Sequence, residues 1–354
     1  ILIRHPVLYI ISSGKKEKKI LNKQDSLAIY EKLLGKFKSI HAKEIIIENG
    51  HLYFIDKTGE PTTALRNINV QLNKFRIDST RDFNNIISYF VKDVVAKVQE
   101  VHVKGEKHNA IFTDVEYNAP ARFIKLAGFR QKNNEGKIVL DINNTSISNI
   151  STDAFILRQQ LQAEELVSDG GLLTFYIKKG SSADSLKDEL EIDNNYFDEA
   201  LVNKVSVGKT NIHIYNRAKP NEAPIIISAV TFDAVDIQKL HSGTNIKNLI
   251  SSSNWKLSAG GFSFFTENKR YKIQLGAFDI NNANSSMRIQ SIKVIPQFTE
   301  AAFSRILKKQ EDLYDLEFRN IVLAGIDTRL LILKKRLEAA TATLQPVVKI
   351  YRDR

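Results

Sequence analysis

The stretch "NINVQLNKFRID" (residues 67–78) puts Ile68, Val70 and Leu72 on one side and Asn67, Asn69, Gln71 and Asn73 on the other. Alternation with a period of two marks a β-strand with one dry face and one wet face. The segment before it, "EIIIENGHLYFID" (44–56), and the turn "KTGEP" (57–61) between them complete a predicted hairpin, with Gly and Pro at the reversal. The fold is decided by what the dry face touches.

Composition narrows the answer. The chain has 354 residues, 43% of them hydrophobic and 9% aromatic, enough to bury several domains' worth of core and far from the disorder regime. No run reaches the about 20 apolar residues that cross a bilayer; "APIIISAV" (223–230) is short and broken by Pro224 and Ser228. Cysteine is absent, which excludes disulfides, thiolate zinc sites and cysteine nucleophiles, and fits an oxidising compartment. Residue 1 is Ile and "ILIRHPVLYII" (1–11) already reads as strand, so an internal piece of a longer protein is expected, with any signal peptide or anchor outside it. The net charge of +11 favours phosphate-bearing partners. No nucleic-acid-binding pattern accompanies it, so nucleic acid is not an expected partner and a membrane surface is.

Internal repeats organise the chain. "LDINNTSISNISTDAFILRQQLQAEE" (140–165) lies without gaps over "LEFRNIVLAGIDTRLLILKKRLEAAT" (316–341), sharing Leu140/Leu316, Asn144/Asn320, Ile150/Ile326, Thr152/Thr328, Ile156/Ile332, Leu157/Leu333, Leu161/Leu337 and Ala163/Ala339. "EIIIENGHLYFID" lies over "KVSVGKTNIHIYN" (204–216), and Tyr9, Tyr176 and Tyr351 mark one place in successive units. The expected domains are a first repeat over 1–172, whose opening residues close a preceding unit, a second over 173–347, and the start of a continuation at 348–354.

Each unit reads as a Tyr-bearing strand, an amphipathic helix, a hairpin and a meander of strands. Helices are predicted at "DSLAIYEKLLGKFKSI" (25–40) and at 82–99, the latter with a stripe of Phe83, Ile86, Ile87, Phe90, Val94 and Val98. Strands are predicted at "EVHVKG" (100–105), "AIFTDVEYN" (110–118), "GKIVLDINNTSISNI" (136–150) and "AFILRQQLQAEEL" (154–166). The second copy gives "WKLSAGGFSFFTEN" (255–268), "RYKIQLGAFDIN" (270–281), "SSMRIQSIKVIP" (285–296), "DLEFRNIVLAGI" (315–326) and "RLLILKKRLEAATATLQ" (329–345). The glycines of "SAGGFSFF" (258–265) mark a bulge or tight bend. The predicted class is mainly β with a few short amphipathic helices. A long meander buries its apolar face as a sandwich, as a barrel, or as an open trough, and alternation does not choose among them.

The order of a "PVLYI" strand, "NGHLYFID", "LRNINVQL", "IKVIPQFTEAAFSRIL", "LEFRNIVLAGID" and a closing "VVKIYRDR" resembles the AsmA-like family of Gram-negative envelope proteins, the Bacteroidetes type above all, with TamB, YhdP and the bridge-like lipid-transfer proteins as wider kin. The resemblance implies a long antiparallel sheet curled into a repeating β-groove, apolar inside and polar outside. It also implies a periplasmic location, an inner-membrane anchor outside this chain, and transfer of phospholipid between inner and outer membranes, with membrane proteins at the two ends as partners.

Matching the copies gives the candidate lining. Leu52 and Phe54 pair with Ile212 and Ile214, and Ile68, Val70 and Leu72 with Val230, Phe232 and Ala234. Single strands add Phe262, Phe264, Ile273, Leu275, Ile289, Leu316, Phe318, Leu331 and Leu333; each is equally at home in a plain core. No catalytic signature occurs. The histidines His5, His41, His51, His102, His108, His213 and His241 are scattered, with no HxH or HExxH, so neither a metal site nor a cofactor is expected. Carboxylate pairs such as Asp312 and Asp315 read as solvated, and the chain is read as a non-enzyme. The alternative function is a structural or assembly β-array that binds envelope proteins, such as an outer-membrane protein assembly factor, by strand addition.

Overall fold

The structure, a computed structural model, describes residues 1–11, 39–78, 92–105, 108–158, 160–177, 199–235, 237, 240–241, 254–306, 311–334 and 336–351. It is mainly β, 71% strand and 7% helical, one large open mixed sheet with few helices. The chain divides into two compact units: Ile1–Asp169 with Ile192–Asn203 and Lys239–Gly243, and Gly170–Glu191 with Lys204–Gln238 and Thr244–Arg354.

In the first unit, β1 (Leu2–Arg4) and β2 (Val7–Ile11) run parallel to β3 (Ser39–Ile55). An antiparallel meander follows: β3, β4 (Pro61–Asp78), β5 (Val94–Lys104), β6 (His108–Asn118), β7 (Phe123–Asn133) and β8 (Ile138–Ser148). A short helix, Thr152–Arg158, leads into β9 (Gln160–Ile177). The turn between β3 and β4 is set by its sequence. Asp56 Oδ1 accepts from the backbone N–H groups of Thr58 (2.8 Å) and Glu60 (3.1 Å), and Gly59 supplies φ +87°.

The second unit repeats the plan. β10 (Glu199–Asn216), whose first residues belong to the first unit, pairs with β11 (Ile225–Val235); β12, the two-residue Leu240–His241, also belongs to the first unit. Next come β13 (Asn254–Ala259) with β14 (Phe262–Phe265), β15 (Tyr271–Leu275) with β16 (Phe278–Asn281), β17 (Ser286–Pro296) and β18 (Leu313–Ala324). Helices occupy Glu300–Ile306 and Thr328–Lys334, and β19 (Thr341–Tyr351) closes the described chain. The helix after β8 and the helix after β18 stand at the same offset as the aligned sequence copies.

The sheet is mixed, where the sequence reading expected it to be antiparallel. Gly170 lies against Gly208, Tyr176 stacks on Tyr215 (5.4 Å) and Ile177 O accepts from Arg217 N (2.7 Å). Those contacts rise together along both strands, so β9 runs parallel to β10, as β2 runs parallel to β3, where Tyr9 stacks on Tyr53 (5.3 Å). A parallel join needs a crossover connection, whereas a meander does not.

Four element predictions differ. The helix over 82–99 is replaced at its C-terminal end by β5, in which Val94 pairs with Leu72 and Val98 with Ile68; Phe83, Ile86, Ile87 and Phe90 lie outside the described residues, as does the helix over 25–40 except at 39–40, which begin β3. The strand expected from 154 begins as a helix, and so does the strand expected from 329, so Leu331 and Leu333 are helical rather than on a strand. β7, "FIKLAGFRQKN", was not anticipated.

A line of reversals crosses the strands. On β4 the apolar set Leu72, Val70, Ile68 continues as Leu65, skipping two residues instead of one, and the cross-strand partners Val94, Ala96, Val98 and Val101 on β5 do the same. Since side chains alternate with a period of two, such a skip would send Leu65 to the wet face unless the backbone is irregular there. It is: Asn67 has φ 52°, and the matching places are Asn49 (54°) on β3, Asp114 (48°) on β6 and Asn144 (39°) on β8. Asn and Asp tolerate this left-handed conformation better than other non-glycine residues. The flanking ladder pairs, Arg66 with Glu100 and Ile68 with Val98 between β4 and β5, and Val98 with Val115 and Glu100 with Thr113 between β5 and β6, bring Asn67, Gln99 and Asp114 to one height. In the second unit the places are Gly208 and Lys209, Ala229 (51°), Gly260 and Gly261, Gly276, and Asn320 (50°). At Gly261 a Cβ would sit 2.4 Å from Leu275 O.

Candidate functional site: the apolar face

Pairing across the strands gathers the predicted lining residues on one face in each unit. In the first, the row beyond the line is Leu52, Leu65, Val101, Phe112, Phe129 and Ile142, one from each strand β3 to β8. The next row holds Phe54, Thr63, Val103, Ala110, Gln131 and Leu140, polar only at Thr63 and Gln131. In the second unit Ile212 pairs with Ile227 and Ile214 with Ile225. Phe262, Leu275, Ile292, Phe318 and Pro346 form one row, and Phe264, Ile273, Val294, Leu316 and Val348 the next. Rings meet within and between these rows: Phe112 on Phe129 at 4.7 Å, and Phe262 near Phe264 at 6.3 Å.

The other side of the line carries the rest of the candidates: Ile68, Val70 and Leu72 in the first unit, and Val230, Phe232 and Ile289 in the second. This half is covered. Leu72, Val94, Val98, Val230, Trp255, Ile289, Ile321 and Leu323 are all buried. The short helices contribute to the cover. Phe155, on the helix Thr152–Arg158, stacks on Tyr117 at 5.9 Å, and Ile332, on the helix Thr328–Lys334, packs on the cluster of Ala234, Ile237 and Trp255. Ile150 and Ile326, at equivalent places leading into the two helices, are 0% and 3% exposed. Burial, then the nearby Asp153 charge, pushes the Tyr117 phenol up to about 12.

The first half is bare by comparison. Most of its Leu, Ile, Val and Phe side chains are half-buried and Phe54 and Phe264 are 36% and 38% exposed, while Ala110, Gln131 and Phe175, the last beside Ile214, are buried. On the second unit's last two strands, Tyr314, Val348 and Ile350 are exposed as well. Sequence reasoning named Leu52, Phe54, Phe262, Phe264, Ile273, Leu275, Leu316 and Phe318 here. It missed Leu65, Val101, Phe112, Phe129 and Ile142, whose signal was the break in alternation. Leu331 lies on a covering helix, as does Leu333, of whose side chain nothing is described.

The opposite face is polar. Lys293, Glu317 and Arg319 form ion pairs across β17 and β18 (3.0 and 2.6 Å), and the Arg319 hydrogen bond, then that of Lys293, holds the Glu317 carboxyl down at about 2. An open recess of about 470 Å³ sits on this face at the line of reversals, lined by Asn49, Asn67, Asn69, Lys97, Gln99, Asp114 and Glu116 among others. Its side chains bond to one another: Asn67 donates to Gln99, Asn69 to Asn67 O (3.3 Å), and Lys97 pairs with Glu116 at 3.6 Å. It lies on the wrong face to hold hydrocarbon, and it is polar where the bare half is apolar.

Among the described residues no three His, Asp or Glu side chains gather as metal ligands, and no helix is long and apolar enough to cross a membrane. Comparison of the chain with protein-family models, with curated proteins and with solved structures gives no match.

Proposed function

We propose that this chain is a section of a periplasmic bridge-like lipid-transfer protein, holding phospholipid acyl chains on the apolar face of its sheet as they pass between inner and outer membranes. The observation that carries this reading is the bare half of each unit: consecutive strands offer two rows of aliphatic and Phe side chains, most of them only half-buried and Phe54 and Phe264 over a third exposed. A hydrocarbon ligand explains such rows because it asks for no hydrogen bond. A diacyl phospholipid exposes about 30 methylenes, so leaving a membrane for water costs on the order of 24 kcal/mol at about 0.8 kcal/mol each. A face of this kind removes much of that cost while a charged head group stays in water, and the net charge of +11 suits anionic head groups. The resemblance of the sequence to AsmA-like proteins adds to the reading. The sequence carries no Walker A or GxGxxG pattern.

The test is native mass spectrometry and lipid extraction of chain purified from envelope fractions without detergent. Co-purifying phospholipid, lost on Phe264→Asp with the fold retained, is the expected result. Lipid-free protein that also fails to take up phospholipid from vesicles would sink the proposal, and capture of an unfolded outer-membrane protein instead would favour the assembly reading.

A further inference from the structure

We infer that hydrocarbon is confined to the bare half of the strands, and that the short helix of each repeat is a fixed plug over the other half. The inference rests on the lipid reading above and specifies which part of the apolar face is the lane. Sequence alternation makes both halves equally apolar, since Ile68, Val70 and Leu72 are no less greasy than Leu52, Leu65 and Val101. Burial separates them. Large side chains on the helix side of the line reach 3% (Val94), 5% (Leu72, Trp255) and 7% (Ile289) exposure, while Phe54 and Phe264 beyond it stand above 35%; Phe175 is buried beyond the line, and Leu275, Ile292 and Phe318, in the row nearest the line, still lean on the Ile289 cluster.

The occupant of the bare half follows from its chemistry. Strand backbones there are already paired on both sides within the sheet, so an extended protein segment laid on the rows would find no backbone partners. Acyl chains need none. Six strands at about 4.8 Å make a lane about 29 Å long in one unit, longer than the hydrocarbon depth of one leaflet, roughly half of a 30 Å core. Covering both halves with lipid would require displacing Phe155 from Tyr117 and Ile332 from the Trp255 cluster, which are packed contacts within the polypeptide.

The chain carries its own reporter, because Trp255 is the single tryptophan and lies on the covered half, stacked near Phe232 at 6.4 Å. The experiment loads the full chain from vesicles of phosphatidylethanolamine and phosphatidylglycerol with brominated acyl chains, which quench indole on contact. Trp255 emission should be unchanged, whereas Phe264→Trp in a Trp255→Phe background should lose most of its emission. Phe54→Trp in the same background reports on the first unit in the same way. Should Trp255→Phe fail to fold, Phe264→Trp alone adds a quenchable component to an unquenched one. Equal quenching of Trp255 and of the residue 264 indole would overturn the confinement and leave the lipid reading standing. No quenching at either place would overturn the lipid reading itself.

Discussion

Asn144→Val tests the line of reversals. Asn144 is exposed and sits at φ 39° on β8, so its replacement disturbs the backbone rather than a core. A β-branched residue held in the left-handed region pays about 1–2 kcal/mol that Asn largely avoids and that Gly avoids altogether. Both substitutions also lose the hydrogen bond from Asn144 Nδ2 to Asp169 Oδ2 (2.8 Å), so the difference between Val and Gly isolates the dihedral. Hydrogen exchange read by mass spectrometry over 138–148 is the right assay, because a chain with two units does not unfold as one. Backbone amides there should exchange about 5- to 30-fold faster in Asn144→Val than in Asn144→Gly, the factor that corresponds to 1–2 kcal/mol. Exchange no faster in the Val variant than in the Gly variant would refute the claim that the left-handed kink is what the side chain serves.

Three further outcomes are expected. Ile150→Ala, at a fully buried position, should cost about 2–5 kcal/mol through the cavity it opens, and Ile326→Ala a similar amount, measured as loss of thermal stability; a cost under 1 kcal/mol at both would show that the helix is not seated there. Tyr117 should deprotonate near 12 in ultraviolet titration, above its unfolded value, so the folded chain keeps a proton that the unfolded chain has lost and stability falls as pH rises from about 10 towards 12; titration at the ordinary value would mean the phenol is not covered. Gly170→Ala should destabilise the β9–β10 join, since φ is +91° and the new methyl carbon would lie 2.5 Å from Gly208 O; an unchanged melting curve would contradict the close approach.

Much of the sheet was legible because alternation is a local signal. "IIIENGHLYFID" and "NINVQLNKFRID" give β3 and β4 directly, and the self-alignment of 140–165 with 316–341 marks the places where strand, left-handed Asn, buried Ile and short helix recur. What was not legible depends on distance in space. Val94 and Val98 also fit a helical stripe, and only their ladder partners Leu72 and Ile68 make them strand. "AFILRQ" and "RLLILKK" are continuous apolar runs, which periodicity cannot assign to strand or helix. β7 was lost because Leu126 and Phe129 are three apart, across a reversal at 127–128. Burial was beyond the sequence altogether, because Leu65 and Leu72 differ in what lies over them and not in their own chemistry.

The reversals explain how one alternating pattern can serve two environments. β4 has 18 residues, about 60 Å at 3.3 Å per residue and three times the usual strand length. A regular ribbon of that length would accumulate a large twist and present one unbroken apolar stripe, which a seven-residue helix cannot cover. An irregular residue at mid-strand divides the stripe at a fixed height while returning the apolar side chains to the same face beyond it, so each half meets its own cover. On one side the helix after β8 or β18 packs down, and Leu72, Val94, Trp255 and Ile289 become core. On the other, side chains such as Phe54 and Phe264 stay more than a third exposed, and the stabilisation of roughly 1.5–3 kcal/mol that full burial of each Leu, Ile or Phe would bring is only partly realised. A ligand that completes this burial stabilises the fold in proportion to its occupancy, which gives the bare half a thermodynamic reason to hold what it carries and the covered half a reason to stay shut.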